Sequence, residues 1–155
     1  MRESLHAPVA QRIEHLPPEQ GAASSSLARR ISYHMIVTNR QHAAVINTPH
    51  GSEIRPLIDR TTSSIERCSL AEEVLPVGAS VGRHYHIETE EIYYILQGTG
   101  RMTVGAETRE VEAGDAVFIP RRETHTLENT GQAPMTILLV CGPAYSYEDH
   151  LVSEK

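Results

Sequence analysis

Residues 78–98 carry the pattern that decides the fold, GASVGRHYHIETEEIYYILQG. His84-Tyr85-His86 comes first, and Glu91 follows five residues later after a polar turn. Side chains at positions i and i+2 of a strand point to the same side, so the two imidazoles should face one way and Tyr85 the other. The β-forming residues 92–96 then predict a second strand, which stops at a glycine.

The rest of the chain beyond residue 60 continues as short apolar segments, separated by Gly- and Pro-containing turns about every ten residues. Gly105-Ala106 fits the turn of a short hairpin. Residues 53–58 fit either an edge strand or a single helical turn. The predicted fold class is all-β, an antiparallel sandwich or barrel, with strands expected at 65–75, 83–86, 92–96, 101–104, 107–111, 116–119, 124–128 and 135–141.

A third histidine, His125, heads a separate strand that a folded barrel would bring opposite the first pair. Three imidazoles and one carboxylate form a nitrogen–oxygen donor set that suits Mn²⁺, Fe²⁺, Ni²⁺, Co²⁺ or Zn²⁺ better than Ca²⁺ or Mg²⁺. His84, His86, Glu91 and His125 are therefore candidate ligands of one divalent transition metal ion, with a surface or structural His-x-His pair as the alternative. The remaining histidines lack such neighbours and are interpreted as ordinary ones: His6, His15, His34, His42, His50 and His150.

Two spacings resemble the conserved motifs of the cupin superfamily. The first motif is matched at every defined position by Gly78-x5-His84-x-His86-x4-Glu91-x6-Gly98. The second is matched by Gly114-x5-Pro120-x4-His125-x3-Asn129, except that Arg122 stands where the family has a glycine. The resemblance is to small single-domain cupins of the cupin_2 or mannose-6-phosphate isomerase-like type. It implies a double-stranded β-helix (the jelly-roll barrel) and a homodimer. It also implies one divalent transition metal ion in the barrel mouth, bound by His84, His86, Glu91 and His125.

The choice of carboxylate depends on the same spacing. Glu88 and Glu90 are rival positions, and Glu91 is preferred because it keeps the six-residue interval to the closing glycine. This choice also leaves Tyr93 on the face of the ligands, where it either orients a substrate oxygen as a catalytic residue or packs its ring in the barrel.

Assignments around the mouth are less direct. Arg101 and Arg122 are candidate substrate-binding residues for an anion, with a solvated surface charge as the alternative for each. Tyr145 and Tyr147 belong to a C-terminal segment that either covers the opening or packs on a partner subunit.

The predicted function is that of a metal-dependent enzyme acting on a small oxygen-rich substrate, such as a hydroxy acid, a keto acid, a sugar or an enediol. Four protein ligands on an octahedral ion leave two positions, at which such a substrate can chelate. Isomerase, decarboxylase, lyase and dioxygenase reactions share this fold and ligand set. The alternative is a non-catalytic cupin that senses or stores a small molecule.

Composition excludes several other classes. The formal net charge is −6, and the basic residues form no stripe, which argues against a nucleic-acid partner. No apolar run approaches a membrane span, and the first thirty residues lack a signal-peptide core. Two cysteines, Cys68 and Cys141, do not make a disulfide framework, so we expect free thiols and a cytoplasmic location.

The first 34 residues are predicted to lie outside the domain. Residues 9–31 have no clear packing pattern and contain a Pro-Pro pair and a Gly-Ala-Ser-rich stretch. They also resemble a translated transfer-RNA gene. Residues 1–34 are accordingly interpreted as an unstructured extension or a mis-annotated start, with Met35 as the native start in the second case. Residues 35–155 are expected to form the single cupin domain, with its motifs at 78–98 and 114–129.

Overall fold

The computed structural model describes residues 35–153. The interpretation of residues 1–34 lies outside the described residues. About half of the described residues lie in eleven strands: β1 (Ile46–Asn47), β2 (Glu53–Ile58), β3 (Ser69–Leu75), β4 (His84–His86), β5 (Glu90–Gln97), β6 (Thr99–Val104), β7 (Glu107–Glu112), β8 (Ala116–Ile119), β9 (His125–Asn129), β10 (Met135–Gly142) and β11 (His150–Val152). A short 3₁₀ helix, Tyr147–Asp149, precedes β11.

The strands form two antiparallel sheets, as the all-β prediction requires. One sheet has the order β1-β2-β3-β10-β5-β8, and the other has the order β11-β4-β9-β6-β7. Apolar side chains from both sheets form one core, with Leu75, Ile95 and Ile137 from the first and Met102 and Leu127 from the second. The two sheets therefore pack face to face, which is the jelly-roll arrangement expected from the sequence.

Local turn chemistry explains how the strands connect. Val104 pairs with Glu107 across the two-residue turn Gly105-Ala106, which confirms the predicted hairpin. Gly98 ends β5 at φ +94°, a left-handed conformation that favours glycine. A Cβ atom there would lie 2.9 Å from Met135 Cα, so the start of β10 can pass close to this turn because the side chain is missing.

Three details add to the expectations. Of the two alternatives left open for residues 53–58, the structure shows the strand, and β1 pairs with its outer edge. The strand expected at 65–75 begins at Ser69. The C-terminal strand β11 was not predicted, since residues 150–152 are too few to show an alternating pattern.

Within residues 35–153, no helix reaches the length and hydropathy that crossing a membrane requires. The cytoplasmic location and the homodimer remain predictions.

Candidate metal centre

Strand β4 presents two imidazoles to the interior. The side chains of His84 and His86 are both buried, while Tyr85 between them is half-buried and lies on the other side of the strand. The register of β4 with β9 places His84 directly opposite His125. Strand pairing within one sheet therefore brings the three imidazoles together.

The carboxylate comes from the facing sheet. Glu91 lies near the start of β5, where it is paired with Cys141 of β10. Its Oε2 atom is 2.9 Å from His125 Nε2 and 3.5 Å from His86 Nε2. One donor atom from each of His84, His86, Glu91 and His125 lies within 4.8 Å of the other three. Atoms that share an ion at about 2.1 Å lie about 3 to 4 Å apart. The two distances from Glu91 Oε2 fall in this range, so the four residues are candidate ligands of one metal ion.

Three of these donor atoms are buried without a hydrogen-bond partner among the described residues. They are His86 Nε2, His125 Nε2 and Glu91 Oε2. Burying an unpaired polar atom costs about 1–3 kcal/mol, so such atoms are rare in native proteins. Their convergence on one point is what a cation site requires, and the donor set fits a divalent transition metal.

The outer nitrogens of two imidazoles fix the ring orientation. His84 Nδ1 donates to the carbonyl oxygen of Gly82 at 2.7 Å, and His125 Nδ1 donates to that of Glu123 at 3.0 Å. A carbonyl only accepts, so in the neutral imidazole the proton lies on Nδ1 and the Nε2 lone pair faces the cluster. The remaining carboxylate oxygen, Glu91 Oε1, accepts from the Cys141 thiol at 3.1 Å.

The protonation states match metal binding. Burial, reinforced by the neighbouring His125, lowers the pKa of His84 to about 3, so this imidazole is neutral at pH 7. Burial alone would raise the pKa of the Glu91 carboxyl, but the imidazoles of His125 and His86 hold it well below its usual range. A neutral imidazole at His84 and an ionised carboxylate at Glu91 are the forms in which these side chains bind metals.

The other predicted site residues are placed as follows. Tyr93 faces the interior from β5, 2% exposed, with its ring 5.8 Å from that of His125. Arg101 is on the outer face of β6, where it pairs with Glu110 at 3.0 Å and Glu128 at 3.5 Å. The structure does not bring Arg101 to the cluster. The catalytic and substrate-binding roles of these residues stay predictions.

Arg122 occupies the position at which the second motif departs from the family. It adopts φ +67° in the left-handed region, as a glycine would. Its backbone N–H donates to the carbonyl oxygen of His86 at 2.5 Å, and its Nε donates to that of Ile87 at 3.4 Å. The turn before His125 is therefore retained, and Arg122 joins it to the end of β4.

In the segment after β10, sequence reasoning named Tyr145 and Tyr147 but missed His150. The His150 ring stacks on His84, with centroids 4.2 Å apart and planes at 9°, and lies 5.4 Å from the His86 ring. The Tyr145 ring lies 6.2 Å from that of His86, whereas Tyr147 is 80% exposed. The interpretation of His150 as an ordinary histidine overlooked this contact, because no local spacing links residue 150 to the two motifs.

Comparison with known proteins gives a consistent family. Residues 71–141 match the family model described as a cupin domain. An uncharacterized protein of Methanocaldococcus jannaschii is 43% identical over 107 residues, which cover 69% of this chain and 86% of that protein. An oxalate-binding protein of Thermotoga maritima is 42% identical over 66 residues. This second match covers 43% of the chain and only 54% of the relative.

Solved structures show the same architecture. A predicted oxalate decarboxylase from Thermotoga maritima superposes with a TM-score of 0.64 at 28% identity, covering 70% of this chain and 99% of that one. Both sequence motifs and all four residues of the cluster lie inside the segment matched by the family model.

Proposed function

The chain belongs to the cupin family, and we propose that it is a metal-dependent enzyme acting on a small oxygen-rich anion. His84, His86, Glu91 and His125 hold one divalent transition metal ion. The observation that carries this proposal is the convergence of three buried atoms that lack partners among the described residues, His86 Nε2, His125 Nε2 and Glu91 Oε2.

The charge of the donor set selects the class of substrate. Three neutral imidazoles and one carboxylate compensate only one of the two positive charges of a divalent ion, so an anionic oxygen ligand is favoured. The bound ion supplies Lewis acidity to the substrate oxygens. A compound with two neighbouring oxygen atoms, such as a dicarboxylate, a hydroxy acid or a keto acid, matches these requirements.

Groups beside the cluster can donate hydrogen bonds to a substrate or accept a proton from it at neutral pH. Burial raises the pKa of Tyr145 to about 12, and burial with the nearby Glu91 carboxylate raises the pKa of Tyr93 well above its ordinary value. Both phenols therefore stay protonated and serve as hydrogen-bond donors. Burial lowers the pKa of His150, with the nearby His86 imidazole adding to the effect, so this ring is neutral and able to accept a proton.

Decarboxylation of a small dicarboxylate is the first reaction to test. The support comes from two relatives described as an oxalate-binding protein and a predicted oxalate decarboxylase. Isomerase, lyase and dioxygenase reactions use the same kind of donor set, so they follow in the same screen.

A non-catalytic binding module is the second candidate, favoured by the description of one relative as an oxalate-binding protein. Such a module binds the anion through the same metal and releases it unchanged. Turnover therefore separates the two candidates.

The deciding experiment uses untagged protein loaded with Mn²⁺, Co²⁺ or Zn²⁺. We expect close to one ion per chain by elemental analysis. Oxalate should raise the melting temperature of the loaded protein but not of the stripped protein, and acetate, which cannot chelate through two neighbouring carboxylates, should have little effect. Release of carbon dioxide would identify an enzyme, while tight binding without turnover would favour the module. Protein that contains no ion after expression and loading with ample metal would refute both candidates.

A further inference from the structure

His86 differs from the other two imidazoles of the cluster in its outer nitrogen. His84 Nδ1 and His125 Nδ1 each lie within 3.0 Å of a backbone carbonyl oxygen. His86 Nδ1 is buried and has no hydrogen-bond partner within residues 35–153. A histidine that binds a metal through Nε2 normally donates its other N–H to an acceptor, which fixes the ring. An acceptor for His86 is therefore expected nearby.

Asp149 supplies a carboxylate at this position. Its Oδ2 atom lies 3.8 Å from His86 Nδ1, and its side chain is only 14% exposed. Reaching an ordinary hydrogen-bond length requires a movement of about 1 Å. The orphaned donor and the carboxylate thus face each other across a small gap.

The same carboxylate holds the turn between the ligand strands. Asp149 Oδ1 accepts from the backbone N–H groups of Ile87 and Glu88, both at 2.9 Å, and Oδ2 accepts from that of Thr89 at 3.0 Å. This turn joins His86 at the end of β4 to Glu91 near the start of β5. Asp149 therefore contacts the backbone between two of the four cluster residues as well as facing one imidazole.

The strand that follows Asp149 reinforces this arrangement. β11 pairs with β4 at three positions, His150 with His86, Leu151 with Tyr85 and Val152 with His84. On its other side, β4 pairs with β9 at a single position. Asp149 and the three residues of β11 lie beyond residue 141, where the match to the cupin family model ends.

We propose that Asp149 is a positioning residue of the metal centre: its carboxylate accepts the Nδ1 proton of His86 and so directs Nε2 of that ring at the ion. This inference rests on the proposed metal site. The C-terminal segment 143–153 lies outside the two family motifs. Through Asp149 it completes a site whose four ligands all lie within those motifs.

Asp149→Asn is the direct test. The variant keeps Oδ1 for the amides of Ile87 and Glu88 but replaces Oδ2 by an NH₂ group, which can accept neither from His86 Nδ1 nor from the backbone N–H of Thr89. The spectroscopic measurement below separates the loss of the His86 contact from the loss of this turn hydrogen bond. We expect full-length, untagged Asp149→Asn to bind Co²⁺ about 10- to 100-fold more weakly than the unmodified protein by calorimetry. The visible absorption of the bound Co²⁺ should also change. Glu148→Gln is the matched control, because Glu148 is exposed and its carboxylate contacts only Ser146 Oγ among the hydrogen-bond partners described.

The outcomes separate the two proposals. If the unmodified protein takes up no Co²⁺, the proposed function fails. If it binds Co²⁺ and Asp149→Asn binds within twofold of it, the role of Asp149 is refuted while the metal site stands.

A second measurement does not depend on the folding of a variant. Long-range ¹H–¹⁵N spectra of the Zn²⁺-loaded unmodified protein should show His86 protonated on Nδ1, with that proton slow to exchange. A fast-exchanging proton, or zinc on Nδ1, would overturn the inference. A carboxylate that merely supports the turn would leave this signature unexplained.

Discussion

Buried residues of the candidate metal centre should lower the free energy of unfolding of the metal-free protein, because their polar atoms lack hydrogen-bond partners. His86 is 2% exposed, and neither of its ring nitrogens has a hydrogen-bond partner in the described part of the chain. Each such atom loses its hydration without compensation. A bound cation removes this penalty, so the same side chain should destabilise the apo protein and stabilise the metal-bound one.

His86→Leu tests this reversal of sign. We expect the metal-free variant to be about 1–2 kcal/mol more stable than the unmodified apo protein, because two unpaired buried atoms are removed. Added metal at 100 times its Kd should stabilise the unmodified protein by about 2.7 kcal/mol and leave the variant unchanged. Urea titrations with and without metal measure both effects. A variant that is less stable than the apo protein would contradict the argument.

Glu73 is a second buried polar residue, and it lies outside the cluster. It is 2% exposed, and Oε1 accepts from Ser52 Oγ at 2.5 Å. Burial raises its pKa from 4.5 to about 7, although the Ser52 hydrogen bond opposes the shift. The folded state therefore binds the proton more tightly than the unfolded state. Its contribution to stability is complete below pH 4.5 and is lost as the pH rises to about 7.

Glu73→Gln should remove this pH dependence while keeping an acceptor for Ser52. Between pH 5 and pH 8 the variant should gain up to about 3 kcal/mol in unfolding free energy relative to the unmodified protein. Glu72→Gln is the control and should be destabilising at pH 8, because it removes the ion pair with Arg40, whose atoms are 2.6 Å apart. Parallel pH profiles for Glu73→Gln and the unmodified protein would disprove the assignment.

At the scale of elements, the sequence predicted most strands and all four residues of the cluster. Alternating hydrophobicity and turn residues are local signals. They therefore predicted β5, the hairpin of β6 and β7, and the fact that His84 and His86 point to the same side of β4. Asp149 and His150 could not, because their roles depend on β11 returning to β4 from more than sixty positions away. Glu73 was missed for a similar reason, because its partner Ser52 lies 21 residues earlier in the chain, directly before β2.

The turn at Gly98 shows how one element constrains another. Gly98 and Gly114 have similar backbone conformations, φ +94° and +100°. A Cβ atom at Gly98 would lie 2.9 Å from Met135 Cα, whereas no described atom lies within 4 Å of one at Gly114. An alanine would therefore be strained by the left-handed backbone at either position, but only at Gly98 would its Cβ atom also collide with β10.

Gly98→Ala should consequently be more damaging than Gly114→Ala. We expect Gly114→Ala to cost about 1–2 kcal/mol through left-handed strain alone. Gly98→Ala should cost about 1–3 kcal/mol more, because β10 must shift. Denaturant unfolding of the two variants gives the difference directly, and equal losses would show that β10 yields without cost.

At the scale of the whole molecule, the outer face of the larger sheet carries an apolar surface. Ile92, Tyr94 and Leu96 alternate outward along β5, each 40–44% exposed, and Phe118 of β8 is 58% exposed. In the sheet, Ile92 pairs with Phe118 of β8 on one side and with Val140 of β10 on the other. We call Ile92, Tyr94, Leu96 and Phe118 the apolar face. Adjacent exposed apolar side chains of this kind mark association surfaces.

We propose that the apolar face joins two copies of the chain. Each copy carries a formal charge of −6, and the four side chains of the apolar face are uncharged, so two copies can approach there with less charge repulsion than at a charged surface. Sedimentation velocity should show a dimer for the unmodified protein and a monomer for Phe118→Glu combined with Ile92→Glu. Tyr147→Ser, which changes an exposed aromatic residue outside the apolar face, should remain dimeric. Metal content should be the same in all three, because the apolar face and the cluster lie on opposite sides of β5. A monomeric unmodified protein at 100 times the concentration used for the variants would contradict the proposal.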